Sequence, residues 1–226
     1  MNVTRITVGI ALLSAASIAA ADSAAQAVSA NLSELLPGPY GDSAAAIIAS
    51  ARSTGLPVAS LESLARQGIV KGMSPDVVVA ALGAEARRLA DAYQALSLVR
   101  PAPAAGDLRA GADALHRGVT PEAIAGLARE APRGRSLEVP IFVLAGLVDR
   151  GVPVDDALAA VAARLRDGVD DRELGELPLY VTRLFARGLP TTDVVRTLLV
   201  MKHGLGEELV PRNPGVQVQR VPARQN

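Results

Sequence analysis

The chain has 226 residues, half of them apolar, and its 23 basic side chains balance 23 acidic ones, with no cysteine and no tryptophan. Without cysteine there is no disulfide framework, thiolate zinc site, iron-sulfur cluster, cysteine nucleophile or lipid-modified bacterial cysteine. Zero net charge without any Lys/Arg block removes the electrostatic footprint of a nucleic-acid binder, so no nucleic-acid partner is expected.

Alanine occupies 42 positions, and only Tyr40, Tyr93, Phe142, Tyr180 and Phe185 are aromatic. Alanine has the highest helix propensity and its weight adds over long windows. Strand signals are absent, so the class expected is all-α.

At the start, residues 1–27 read as a secretory signal peptide. Arg5 is the positive start, Ile6 to Ala21 the apolar stretch, and Ala25-Gln26-Ala27 a small-x-small cleavage site, with Ala19-Ala20-Ala21 competing. The apolar run falls short of the roughly 20 residues a spanning helix needs. The best later apolar segment, Val139 to Val148, is short and carries Pro140. No stable transmembrane segment is expected after signal cleavage, and the mature chain is expected outside the cytoplasm, periplasmic or extracellular.

Residues 28–203 read as a single α-helical domain. Asn31 to Gly41, with Pro37 and Pro39, reads as a loop or short turn. Helical periodicity then predicts helices near 43–53, 57–70, 75–98, 107–117, 121–131, 138–149, 154–166, 176–187 and 191–203. Gly55-Leu56-Pro57 is a break, and Pro101 to Gly106 reads as a linker. Residues 204–226, rich in Pro, Gly, Gln and Arg, read as a flexible C-terminal tail.

One short phrase recurs between these ends: a cation, a Gly, an aliphatic residue, Ser/Thr or Pro, then an acid. It appears from Lys71-Gly72-Met73, Arg117-Gly118-Val119, Arg150-Gly151-Val152 and Arg187-Gly188-Leu189. Gly takes the left-handed conformation past a helix end, the cation faces the negative end of the macrodipole, and the aliphatic residue covers the last turn. Ser74 and Thr120 then read as N-caps, Pro75 and Pro121 as first helical residues, and Asp76 and Glu122 as acids at the positive end of the next helix. A fifth junction at Asp167-Gly168-Val169 has Asp170 as cap and starts either a short helix or a turn.

The segment Glu138-Val139-Pro140-Ile141-Phe142-Val143 matches Glu176-Leu177-Pro178-Leu179-Tyr180-Val181, and the following turn phrases match as well. The architecture expected is an irregular array or bundle of about four helical hairpins with Gly-Pro turns.

A search for chemistry finds no convergent reactive set. His116 and His203 stand far apart, each at a predicted helix end where dipole pairing accounts for it, so no metal is expected. There is no G-x-S-x-G elbow, phosphate loop or calcium loop, and no cofactor is expected. Asp155-Asp156, Asp170-Asp171-Glu173 and Glu207-Glu208 lie at helix starts or in the tail, where acids serve as caps and solvated charge. The binding candidates are Lys71, Arg117, Arg150 and Arg187, which would line one edge of an array, although capping explains them more cheaply. Phe142 and Tyr180 are read as packing residues, with an aromatic lip of a groove as the alternative.

Gln67 to Leu82, with Gly68-Ile69-Val70-Lys71-Gly72-Met73-Ser74-Pro75, resembles a group of uncharacterised secreted bacterial proteins carrying a Gly-x-x-Lys-Gly-x-x-Pro helical-hairpin phrase. The likeness covers roughly residues 55–97, with weaker echoes to 203. It implies an exported helical protein and brings no catalytic residues. The function expected is a non-enzymatic helical-repeat protein binding a protein or cell-wall component in the envelope. The alternative is a periplasmic hydrolase acting on wall glycan or peptide.

Overall fold

The computed structural model describes residues 35–200. The expected signal peptide, the tail and His203 lie outside the described residues. Within them the chain is all-helical, without strands: α1 (Pro39–Ser53), α2 (Val58–Val70), α3 (Pro75–Ser97), α4 (Ala105–His116), α5 (Pro121–Glu130), α6 (Glu138–Val148), α7 (Val154–Arg166), α8 (Asp171–Gly175), α9 (Leu177–Ala186) and α10 (Thr191–Val200). Among the described residues no helix is long and apolar enough to cross a membrane.

The ends of α1, α2, α4, α6, α7 and α9 share one chemistry, a glycine at positive φ just past the last turn. Gly118 and Gly151 sit at φ 87° and 83°, a region open to Gly because it has no Cβ. The next residue then closes the turn: Val119 N–H donates to the Ala114 carbonyl at 3.0 Å, and Val152 N–H to the Leu147 carbonyl at 3.2 Å. These bonds satisfy carbonyls the ended helix leaves open. The side chains of Val119, Val152 and Val169 are buried, so the residue that closes the turn also enters the core.

Two boundaries differ from the sequence reading, and a third junction takes one of the two forms expected of it. Helix α1 begins at Pro39, inside the segment read as a loop. Proline at a first helical position has the right φ already and no N–H to lose, so it starts this helix. Ala105 and Gly106, read as linker, form the start of α4, because Ala104 takes the extended cap conformation and its carbonyl accepts from Leu108 N–H at 3.0 Å. The ambiguous fifth junction forms the short α8, capped by Asp170 Oδ1, which accepts from Glu173 N–H at 2.8 Å. Thr120 Oγ1 caps α5 by accepting from Ala123 N–H at 3.2 Å. Ser74 has the extended cap backbone but makes no side-chain cap bond; its hydroxyl acts on the Asp76 carboxyl and holds it below the usual carboxylate range.

Packing places α4 against α6 and α6 against α9, while α5 packs on α7 and α7 on α10. The long α3 reaches both α4 and α5, and α1 and α2 close against it. The core runs without interruption through Leu61, Leu82, Leu89, Leu96, Ile124, Leu127, Ile141, Leu144 and Leu147, all fully buried. Each is worth about 1.5–3 kcal/mol relative to exposure.

Two buried polar groups register the elements. Asp107 Oδ1, in the first turn of α4, accepts from Leu137 N–H at 2.8 Å and Ser136 Oγ at 3.1 Å, capping the entry of α6 across the interface. Arg164 of α7 donates from Nη2 to the Leu198 carbonyl of α10 at 3.1 Å.

Close approach is needed where α4 meets α3. A Cβ on Gly111 would stand 2.9 Å from Ala92 Cβ, short of any ordinary carbon contact. Gly83, on α3, has ordinary room, the nearest atom being Arg87 Nη1 at 3.6 Å. Gly111→Ala is therefore expected to destabilise the protein by about 1–2 kcal/mol, since overpacking outweighs the helix-propensity gain. Gly83→Ala is expected to be neutral or stabilising by up to about 1 kcal/mol. Urea unfolding of both variants checks this contrast; equal midpoints would contradict it.

Candidate functional site

The C-terminal end of α4 delivers Arg117 to a surface shared with α6. Its Nη2 lies 2.7 Å from Asp113 Oδ2, one turn back on its own helix, and its Nη1 lies 3.1 Å from Asp149 Oδ2 just past α6. Between these carboxylates the guanidinium stands 5.5 Å from the centre of the Phe142 ring. Phe142 is 53% exposed. An aromatic ring with a guanidinium fixed over it combines an apolar face with a held charge.

Arg150, at the end of α6, turns the other way. Its Nε donates to Thr182 Oγ1 of α9 at 2.8 Å and its Nη1 to the Gly146 carbonyl at 2.6 Å. Thr182 Oγ1 in turn donates to the Pro178 carbonyl at 3.0 Å. A Cβ on Gly146 would meet Pro178 Cγ at 3.1 Å, so the α6–α9 contact that this arginine spans is tight. Arg109 and Glu138 add a looser pair between α4 and α6 at 3.6 Å.

The structure thus brings Arg117 and Phe142 together, turns Arg150 to Thr182 and the Gly146 carbonyl, and divides the other candidates. Lys71 is exposed at the α2–α3 turn. Arg187 ends α9, and its positive charge reaches Tyr180. The two aromatic residues at matching sequence positions take different roles. Phe142 points outward, whereas Tyr180 packs on the core. Among the described residues the Tyr180 hydroxyl is buried without a hydrogen-bond partner, and burial raises its pKa above the ordinary tyrosine value, against an opposing effect of Arg187.

Sequence reasoning missed Asp113, Asp149 and Leu179. Asp149 had one local signal, as the acid before the Arg150-Gly151 phrase, but its pairing with Arg117 spans 32 residues and depends on how the helices stack. Leu179, 53% exposed on α9, falls in the matched segment and shows its exposure only once the helix is packed.

Asp171 pairs with Arg135 at 2.6 Å, and Asp170 is the α8 cap. Among the described residues no group of three or more His, Asp or Glu side chains is placed to hold a metal ion. Comparison of the chain with protein-family models, curated proteins and solved structures gives no match.

Tyr180 supplies a pH signature. Its raised folded pKa keeps it neutral where the unfolded chain already ionises, so its contribution is complete below the ordinary value of about 10 and is lost as pH rises from there through the folded pKa. Tyr180→Phe is expected to remove that alkaline loss. Because the deleted hydroxyl has no partner, the variant is also expected to be as stable as the parent or about 1 kcal/mol more stable near neutral pH. Urea midpoints near neutral pH and above about pH 10 check this; a clear loss of stability near neutral pH would show that the hydroxyl is hydrogen-bonded.

Proposed function

We propose that the chain is an exported, non-enzymatic array of about four helical hairpins joined by Gly-Pro turns, which binds a protein or cell-wall partner in the envelope. The outer surface of α4, α6 and α9 is the binding face. The observation that carries the reading is Phe142: one of only two phenylalanines, it stands 53% exposed under an arginine held by two aspartates. Aromatic and arginine side chains dominate the energy of protein interfaces, and a ring presented in a fixed orientation loses little freedom on binding. Export rests on the residue 1–27 segment and on the resemblance of the Gly68–Pro75 phrase to secreted bacterial proteins.

The hydrolase reading has less support. It needs an acid in a concave site with a perturbed environment and a second carboxylate beside it. Asp107, the carboxylate buried among the described residues, is engaged with Leu137 and Ser136 and lines neither the groove between α3 and α5 nor that between α2 and α3. Glu85, in one of them, is paired with Arg88 at 2.7 Å.

The test is an affinity pull-down of the tagged mature protein from the source organism's envelope fraction, cell wall included, at low and moderate salt. One partner is expected at both salts, and Phe142→Ala is expected to lower its recovery at least about tenfold, the effect of losing an interface anchor. A folded protein that retains nothing, or a partner indifferent to Phe142→Ala, would contradict the proposal.

A further inference from the structure

A second surface lies on other helices. Between the last turns of α3 and the length of α5 runs an open groove of about 560 Å³. The walls are helix stripes: Asp91 and Ala95 on α3 with Leu98 just past its end, and Glu122, Ala125 and Arg129 on α5. Ala95 and Ala125 are buried and form a low floor, while Leu98 stands 80% exposed at the side. Small residues under a bulky apolar wall leave space for the side chains of a visiting helix.

The charges give the groove a direction. Arg100, just past α3, donates from Nη2 to the Pro132 carbonyl at 3.3 Å and from Nη1 to the Arg135 carbonyl, which brings the end of α3 to the end of α5. The two helices therefore run side by side in the same sense. Asp91 and Glu122 mark one end of the groove, and Leu98 and Arg129 the other. Asp91, Glu122 and Arg129 have no ion pair among the described residues.

We propose that this groove receives an amphipathic α-helix of another protein, seated by an apolar stripe on Ala95, Ala125 and Leu98 and by a Lys or Arg at the Asp91–Glu122 end. The stripe on α5, from Glu122 to Arg129, covers seven residue steps, about 10.5 Å of helix, so the occupant contributes roughly two turns. Two turns of apolar contact with one or two exposed charge pairs give a weak, reversible association. The site is independent of Phe142.

The test uses the full mature chain and two synthetic helical peptides with the same Leu/Ala stripe, one carrying Lys and one carrying Glu beyond it. Amide resonances are followed by NMR during titration. The Lys peptide is expected to shift residues 91–98 and 121–129 saturably and to bind several-fold more tightly than the Glu peptide. Glu122→Lys is expected to reverse that preference. Leu98→Asp, a change at an exposed position, is expected to weaken binding at least about tenfold with no change in thermal unfolding. No saturable shift, shifts located elsewhere, equal affinity for the two peptides, or indifference to Leu98→Asp would each overturn the proposal.

Discussion

A helix that ends at Gly leaves its last carbonyls facing outward, and in this chain the next residue resolves that constraint. Val119, Val152 and Val169 each donate a backbone N–H to a carbonyl five residues back and bury their side chains beneath the turn. One residue thus ends a helix, reverses the chain and anchors the reversal in the core. With the ends fixed this way, the helices that follow have few ways to lie, and small residues let them lie close. Gly111 against Ala92 marks a contact where a methyl group is already too much, and Gly146 against Pro178 one that is tight. The polar links then have one register available: Asp107 to Leu137, Arg117 to Asp149 and Arg150 to Thr182 all join positions 30 or 32 residues apart.

These links are not the main source of stability. Exposed ion pairs are worth about 0–1 kcal/mol each, far less than the burial of the leucine core. Arg117 is better understood as a positioning device. Asp113 and Asp149 hold its guanidinium, and the guanidinium in turn covers one face of the exposed Phe142 ring. A surface that keeps an aromatic ring exposed while fixing the charge above it is arranged at some cost in solvated apolar area, which a bound partner would relieve.

What the sequence made legible was local. The Gly-aliphatic phrases, the prolines at the starts of α3 and α5, and the helical spacing of apolar residues lie within a few residues of the structure they determine, so the helices from Val58 onward were placed almost at their observed bounds. Pro39 misled because proline is both a loop residue and a good first helical residue, and only the backbone of Gly38, at φ 59°, decides between the two. The candidate surface was only half legible. Phe142 and Tyr180 match in local sequence, yet Arg117 comes over Phe142 from α4, while Arg150 turns to Thr182 and the Gly146 carbonyl and leaves Tyr180 to pack inward. That difference belongs to the neighbouring helices and to the registers of their contacts, which no window of sequence contains.

The account stands on Phe142 being a contact residue in the envelope. The most direct measurement is photo-crosslinking inside the source organism, with a photoreactive side chain at position 142 and, as control, at the exposed Asp167 past the end of α7. The account predicts one discrete adduct from position 142, recovered in the exported fraction, and none from position 167. No adduct from position 142, the same adduct from both positions, or an adduct confined to the cytoplasm would contradict it.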